Sequence, residues 1–119
     1  NYDTPAIFIS GKKTWQILGP SDPGSQSYNP GGEIASWKSY DAGLTWTKEK
    51  KLTNGSERNH NYVRNVINGI KDIRAVWADG NGRTPSVSFL YYCDYQGNVF
   101  RLPRECSDDM IEPEKISNK

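Results

Sequence analysis

The chain has 119 residues, enough for one small domain, with 15 Lys and Arg against 14 Asp and Glu and a net charge of +1. The two signs are mixed and form no basic stripe, which argues against nucleic acid or an anionic membrane surface as a partner; no apolar run approaches the roughly 20 residues of a spanning helix. Residues AVILMFWYC make up only 34%, about 43% with the 11 glycines added, slightly under the usual range, so four Trp, seven Tyr and three Phe must supply much of a small core.

No window of about twelve residues shows an apolar stripe at helical spacing. Short β-rich runs recur instead, bounded by Gly, Pro, Asn and Asp. They predict strands over Ala6–Ser10, Thr14–Leu18, Glu33–Tyr40, Thr45–Leu52, Tyr62–Ile67, Ile73–Ala78, Ser88–Cys93 and Asn98–Leu102. Segment 19–32, GPSDPGSQSYNPGG, reads as a long loop, functional or disordered. Segment 79–87, DGNGRTPSV, reads as a second. The strands IRAVWA and SFLYYC are apolar on both faces, which predicts cover on both sides. Residues 1–103 then form the β domain, and 104–119 a polar tail lying on the surface or partly disordered. The chain begins at Asn1 and its one Met is Met110, which reads as a processed chain or a piece of a longer one.

Two cysteines, Cys93 and Cys106, fix no compartment. In a hairpin turning at Gln96-Gly97, Cys93 falls opposite about Phe100, away from Cys106. A bridge needs Cα atoms within about 7 Å, so it would require a folded-back tail. Asn54-Gly55-Ser56 fits a glycosylation sequon and equally a plain turn. The stretches EIASWKSYDAGLTWTKEKKLT and SFLYYCDYQGNVFRLP both read strand, tight turn, strand, each the outer hairpin of a four-stranded unit of about 45–50 residues.

SYDAGLTW, residues 39–46, is the most patterned stretch. Gly43 supplies a backbone that tolerates positive φ, and Asp41 can accept from nearby N–H groups. Ser39 and Thr45 can tie the strand ends to the turn, and Trp46 can anchor the hairpin. A structural turn accounts for all five residues; direct contact with a substrate or ion is the alternative. Ser39, Asp41, Gly43, Thr45 and Trp46 together resemble the Asp-box, or bacterial neuraminidase repeat. GGEIASW, SERNHNYVRNV, AVWADGNGR and LYYCDYQGNVFRLP resemble its branch with ulvan-lyase-like polysaccharide lyases, over roughly residues 6–103. The resemblance implies an all-β fold of antiparallel four-stranded propeller-type blades, with the box between the third and fourth strands of a blade. Such propellers have about six or seven blades, and this chain holds about two. A small β-sandwich is the alternative fold.

On an extended strand Arg58, His60, Tyr62 and Arg64 share one face. That set suits β-elimination on a uronic-acid sugar: an Arg neutralises the carboxylate, and His60 or Tyr62 removes the proton while the other protonates the leaving oxygen. His60, Tyr62 and Arg64 are therefore the candidate catalytic residues, and Arg58 a substrate-binding one. A glycan contact without catalysis, or a purely structural His–Tyr pair, accounts for the same residues. The sialidase reading has Arg64, Arg83 and Arg101 for a carboxylate, with no spacing that marks a triad. In WADGNGR, Trp77 could stack on a pyranose while Asp79, Asn81 and Arg83 orient it; alternatively Trp77 is core and the rest a turn. One His and two distant Cys do not make a zinc site, DGNG lacks the remainder of a calcium loop, and no phosphate-binding glycine motif supports a nucleotide cofactor. The expected partner is an acidic polysaccharide or glycan outside the cytoplasm, secreted or periplasmic. Whether the chain is a lyase-like or sialidase-like enzyme stays open. A non-catalytic glycan-binding or adhesion module is the second reading. The third is a β-rich protein that self-associates through open edges or joins the remaining blades.

Overall fold

The computed structural model describes residues 5–27, 31–67, 72–81, 84–105 and 109–116. Among them are nine strands and no helix: β1 (Ala6–Ile9), β2 (Trp15–Pro23), β3 (Gly32–Ser39), β4 (Thr47–Lys51), β5 (His60–Asn65), β6 (Ala75–Asp79), β7 (Leu90–Cys93), β8 (Val99–Arg101) and β9 (Glu114–Ile116). Each of the eight predicted strands forms, most with ends within two residues of those expected.

Two differences are instructive. β2 runs on to Pro23, through about the first third of the segment read as loop. Its pairing with β1 ends at Leu18, while pairing with β3 continues to Pro23 with a register shift between Pro20 and Asp22. Beyond Leu18 the strand is an edge, where proline's missing donor costs no ladder bond. The tail supplies β9, which pairs antiparallel with β8, and Ile116 packs against the core. Three residues in a charged stretch give too little pattern to announce a strand.

All pairings are antiparallel, in one open sheet. β1–β4 form one four-stranded meander and β5–β8 a second, to which β9 adds. A single register pair, Gly32 with His60, joins β3 to β5. The sheet is continuous rather than divided into two, and it is not closed. The core lies between the meanders: Leu18, Ile34 and Leu52 from the first meet Val63, Ala75, Trp77, Cys93 and Val99 from the second. On the other face of the second meander Tyr92 stacks on Phe100 at 5.0 Å, while Leu90 is 51% exposed. The expected cover on both sides is thus complete on the core face alone.

Residues 39–46 join β3 to β4, the third and fourth strands of their meander. Asp41 accepts from the backbone N–H and hydroxyl of Thr45 and from the Ser39 hydroxyl. Those bonds, that of the Thr45 hydroxyl above all, hold its pKa at about 2. The Ser39 Oγ in turn accepts from the Gly43 N–H at 2.9 Å, and the Trp46 indole donates to the Gly43 carbonyl. Gly43 has φ 87° and sits on the Trp15 ring. The hairpin between β7 and β8 is built alike at the same position of the second meander. Asp94 accepts from the N–H of Gln96 and Asn98 and from the Asn98 amide, and Gly97 has φ 87°. The internal echo is therefore a repeat of position and of turn chemistry, with Asn98 where the first turn has Thr45.

Cys93 is a buried free thiol, and burial raises its pKa to about 11. It pairs across the hairpin with Val99, one residue short of Phe100. Cys106 lies outside the described residues.

Candidate functional site

β5 does not keep the alternation that would line up Arg58, His60, Tyr62 and Arg64. Asn61 pairs with Ala78 and Arg64 with Val76, so two residues, Tyr62 and Val63, oppose Trp77 in a bulge. Tyr62 takes φ 60°, Val63 turns into the core, and Tyr62 is left 39% exposed with Arg64 also outside. One extra residue reverses the facing of everything beyond it. The expected shared face is corrected accordingly: Arg58 and His60 stay together, and Tyr62 and Arg64 leave them.

His60 is 2% exposed. Its Nδ1 lies 2.9 Å from the Trp77 Nε1, and its Nε2 3.0 Å from the Ser56 Oγ. Indole can only donate, so Nδ1 must be the acceptor, and the neutral ring carries its proton on Nε2 and donates to Ser56. Burial first, then the Arg58 charge, lower the His60 pKa to about 4 against the opposing pull of Asp79. At neutral pH the ring is uncharged and its lone pair is occupied. It is not a free base for Ser56 or for a sugar C–H.

Trp77 is 1% exposed, lying parallel to the Tyr91 ring at 6.1 Å, while His60 meets Tyr91 edge-on at 4.6 Å. The sugar-stacking expectation for Trp77 is corrected on that ground: its ring faces are spent inside the core. Asp79 is also drawn inward. Its side chain is 2% exposed and accepts from the Tyr91 hydroxyl at 2.7 Å, the Phe89 N–H at 2.8 Å and the Arg58 Nε at 3.3 Å. Asn81, whose N–H donates to the Ser86 hydroxyl, lies past the strand end and does not line the cleft described next. Arg83 lies outside the described residues.

The strand ends instead gather a cleft of about 290 Å³, bounded by Ser56, Arg58, His60, Asp79, Tyr91 and Arg101, with Glu114 and Lys115 at its rim. Arg58 is held by Asp79 and by Glu57 at 3.2 Å, and its guanidinium lies over the Phe89 ring. Arg101 pairs with Glu114, which raises its pKa, and hydrogen-bonds Tyr91. Burial and the bond to Asp79 raise the Tyr91 pKa well above a free phenol's. Ser56 receives the His60 proton on its oxygen, and its N–H points at the buried Glu33 carboxylate at 3.3 Å. The arrangement offers fixed donors, two guanidiniums and a serine hydroxyl, over a tightly bonded floor of His60, Tyr91 and the Asp79 carboxylate.

Tyr91, Arg101 and Ser56 are the cleft residues that were not grouped with Arg58 and His60 from sequence. Tyr91 reaches them through the Trp77–Tyr91 register and Arg101 through the Tyr91–Arg101 register. Among the described residues no group of three His, Cys, Asp or Glu is placed to hold a metal. Comparison with protein-family models, with curated proteins and with solved structures finds no match to this chain.

Proposed function

We propose that the chain is a carbohydrate-binding segment of a propeller-type protein, secreted or periplasmic, and that the Arg58–Arg101 cleft receives the carboxylate of an acidic sugar. The observation that carries the reading is the convergence of two held guanidiniums and the Ser56 hydroxyl on one small cleft. Planar guanidinium donors suit a carboxylate, and a neighbouring hydroxyl suits a ring oxygen or sugar OH. The blade reading is supported by the two carboxylate-centred turns at matching positions of two meanders. Binding is favoured over turnover because the His60 lone pair is bonded to Trp77 and the Tyr91 proton to Asp79.

Calorimetric titration with a uronate-containing polysaccharide, and with a neutral one of similar size, tests this. Saturable binding of the acidic polymer alone is expected, weakening roughly tenfold in Arg101→Met. Equal binding of both polymers, or none, overturns it. Accumulation of unsaturated uronate products would overturn the preference for binding over turnover.

A further inference from the structure

A second cleft of about 740 Å³ opens at the other end of the core, between the first meander and the start of β6. It lies roughly 17 Å along β6 from the first, five residues at a strand's rise. Its walls are Phe8, Lys38, Glu49, Lys50, Arg74 and Tyr95, with Ile7 and Ile9 exposed on one lip.

The charges in it are not balanced. Glu49 is already engaged by the Gln16 amide at 2.6 Å, the Ser36 hydroxyl and Lys38 at 3.7 Å. Among the described residues Lys50 reaches only the Gln96 carbonyl, at 3.3 Å. The Arg74 guanidinium lies over Phe8 at 4.6 Å and over Tyr95 at 5.6 Å, and its Nε is buried with no hydrogen-bond partner among the described residues. It makes no ion pair among the described residues. Two aromatic rings thus hold a guanidinium in position while one of its donors goes unused, and an unused buried donor is costly. The size is that of a small-molecule site, and such sites combine apolar walls with a few fixed polar groups.

We propose that this cleft is a binding site for a small organic carboxylate carried on a ring, with the carboxylate on Arg74 and Lys50 and the ring against Tyr95 and the Ile7–Ile9 lip. The site is separate from the Arg58–Arg101 cleft and does not depend on the reading given to it.

The test is an NMR titration that follows the Arg74 Nε–H signal, with benzoate, glucuronate and sulfate as probes. Saturable shifts are expected with a ring carboxylate. Benzoate alone marks an apolar ring, and glucuronate alone or both a sugar-tolerant one. Arg74→Met should abolish the binding, and Lys50→Met, an exposed change that leaves the fold alone, should weaken it roughly tenfold. Arg101→Met should leave it unchanged. Sulfate binding as tightly as the carboxylates, no saturable shift with any probe, or full affinity in Lys50→Met overturns the proposal. If Arg74→Met does not fold, the Lys50→Met result decides.

Discussion

Replacing Asp79 with Ala removes the carboxylate on which three donors converge. Those donors are the Tyr91 hydroxyl at 2.7 Å, the Phe89 N–H at 2.8 Å and the Arg58 Nε at 3.3 Å. The Arg58 side chain is only 14% exposed and the Asp79 side chain 2%, so water cannot readily replace what is lost. Hydrogen bonds to a charged group contribute about 1.5–3 kcal/mol each. Stranding one member of a buried ion pair costs about 3–5 kcal/mol in all, and the second figure governs because the bonds share one acceptor. The expected loss is therefore about 3–5 kcal/mol, a large part of the roughly 5–15 kcal/mol of a small domain. It lowers Tm by on the order of 15 °C. Asp79→Asn keeps the shape and the bond from Phe89, but turns a donor towards Tyr91 or Arg58, and should cost about 1.5–3 kcal/mol. Urea unfolding of Asp79→Ala, Tyr91→Phe and the double variant measures the coupling directly, expected at about 1–3 kcal/mol. A loss under about 1 kcal/mol in Asp79→Ala, or additivity with Tyr91→Phe, would refute the view of Asp79 as the centre of a desolvated network.

His60 makes stability depend on pH. Its pKa is lowered from 6.5 to about 4 in the fold, so the unfolded chain takes up a proton that the folded chain refuses. The contribution is complete above pH 6.5, declines as pH falls to about 4, and totals roughly 3 kcal/mol; urea titrations at several pH values should show that slope flattened in His60→Gln. Gly43→Ala places a Cβ 2.8 Å from the Trp15 ring at φ 87°, and thermal melts should report a loss of about 1–3 kcal/mol. Asp94→Ala should speed amide exchange at Gln96 and Asn98 while β1–β4 stays protected, the outcome expected if the second turn rests on that carboxylate.

The hairpins were legible because their causes are local. Apart from the Ala42 N–H, which bonds the Lys13 carbonyl, and the Gln96 carbonyl, which Lys50 reaches, the bonds that shape the two turns run within Ser39 to Trp46 and within Asp94 to Asn98. The cleft was legible only in part. Arg58 and His60 both line it, although Arg58 precedes β5 rather than lying on the strand with His60, and nothing in HNYVRN marks the bulge that sends Tyr62 and Arg64 outward. A bulge depends on what the partner strand must pack, here Trp77, and partner identity is a long-range fact. Tyr91 and Arg101 enter through registers across two hairpins, which alternation alone leaves undetermined. Trp77 reads from sequence either as a sugar platform or as core, because an aromatic beside a Gly-rich turn looks the same whether its ring lies against water or against Tyr91.

The two meanders meet in the backbone at one register pair, Gly32 with His60. A Cβ on Gly31 would lie 2.4 Å from the His60 carbonyl, so the approach there tolerates no side chain. The junction is a seam with one backbone register pair, and side chains stitch it further: Asn59 exchanges hydrogen bonds with Gln26, the Asn65 amide donates to the Ile7 carbonyl, and Lys50 reaches the Gln96 carbonyl. A force pulling the two meanders apart would have to break those side-chain bonds one by one as well as part the apolar side chains packed behind them. Because His60 belongs to both the seam and the floor of the cleft, opening one would dismantle the other.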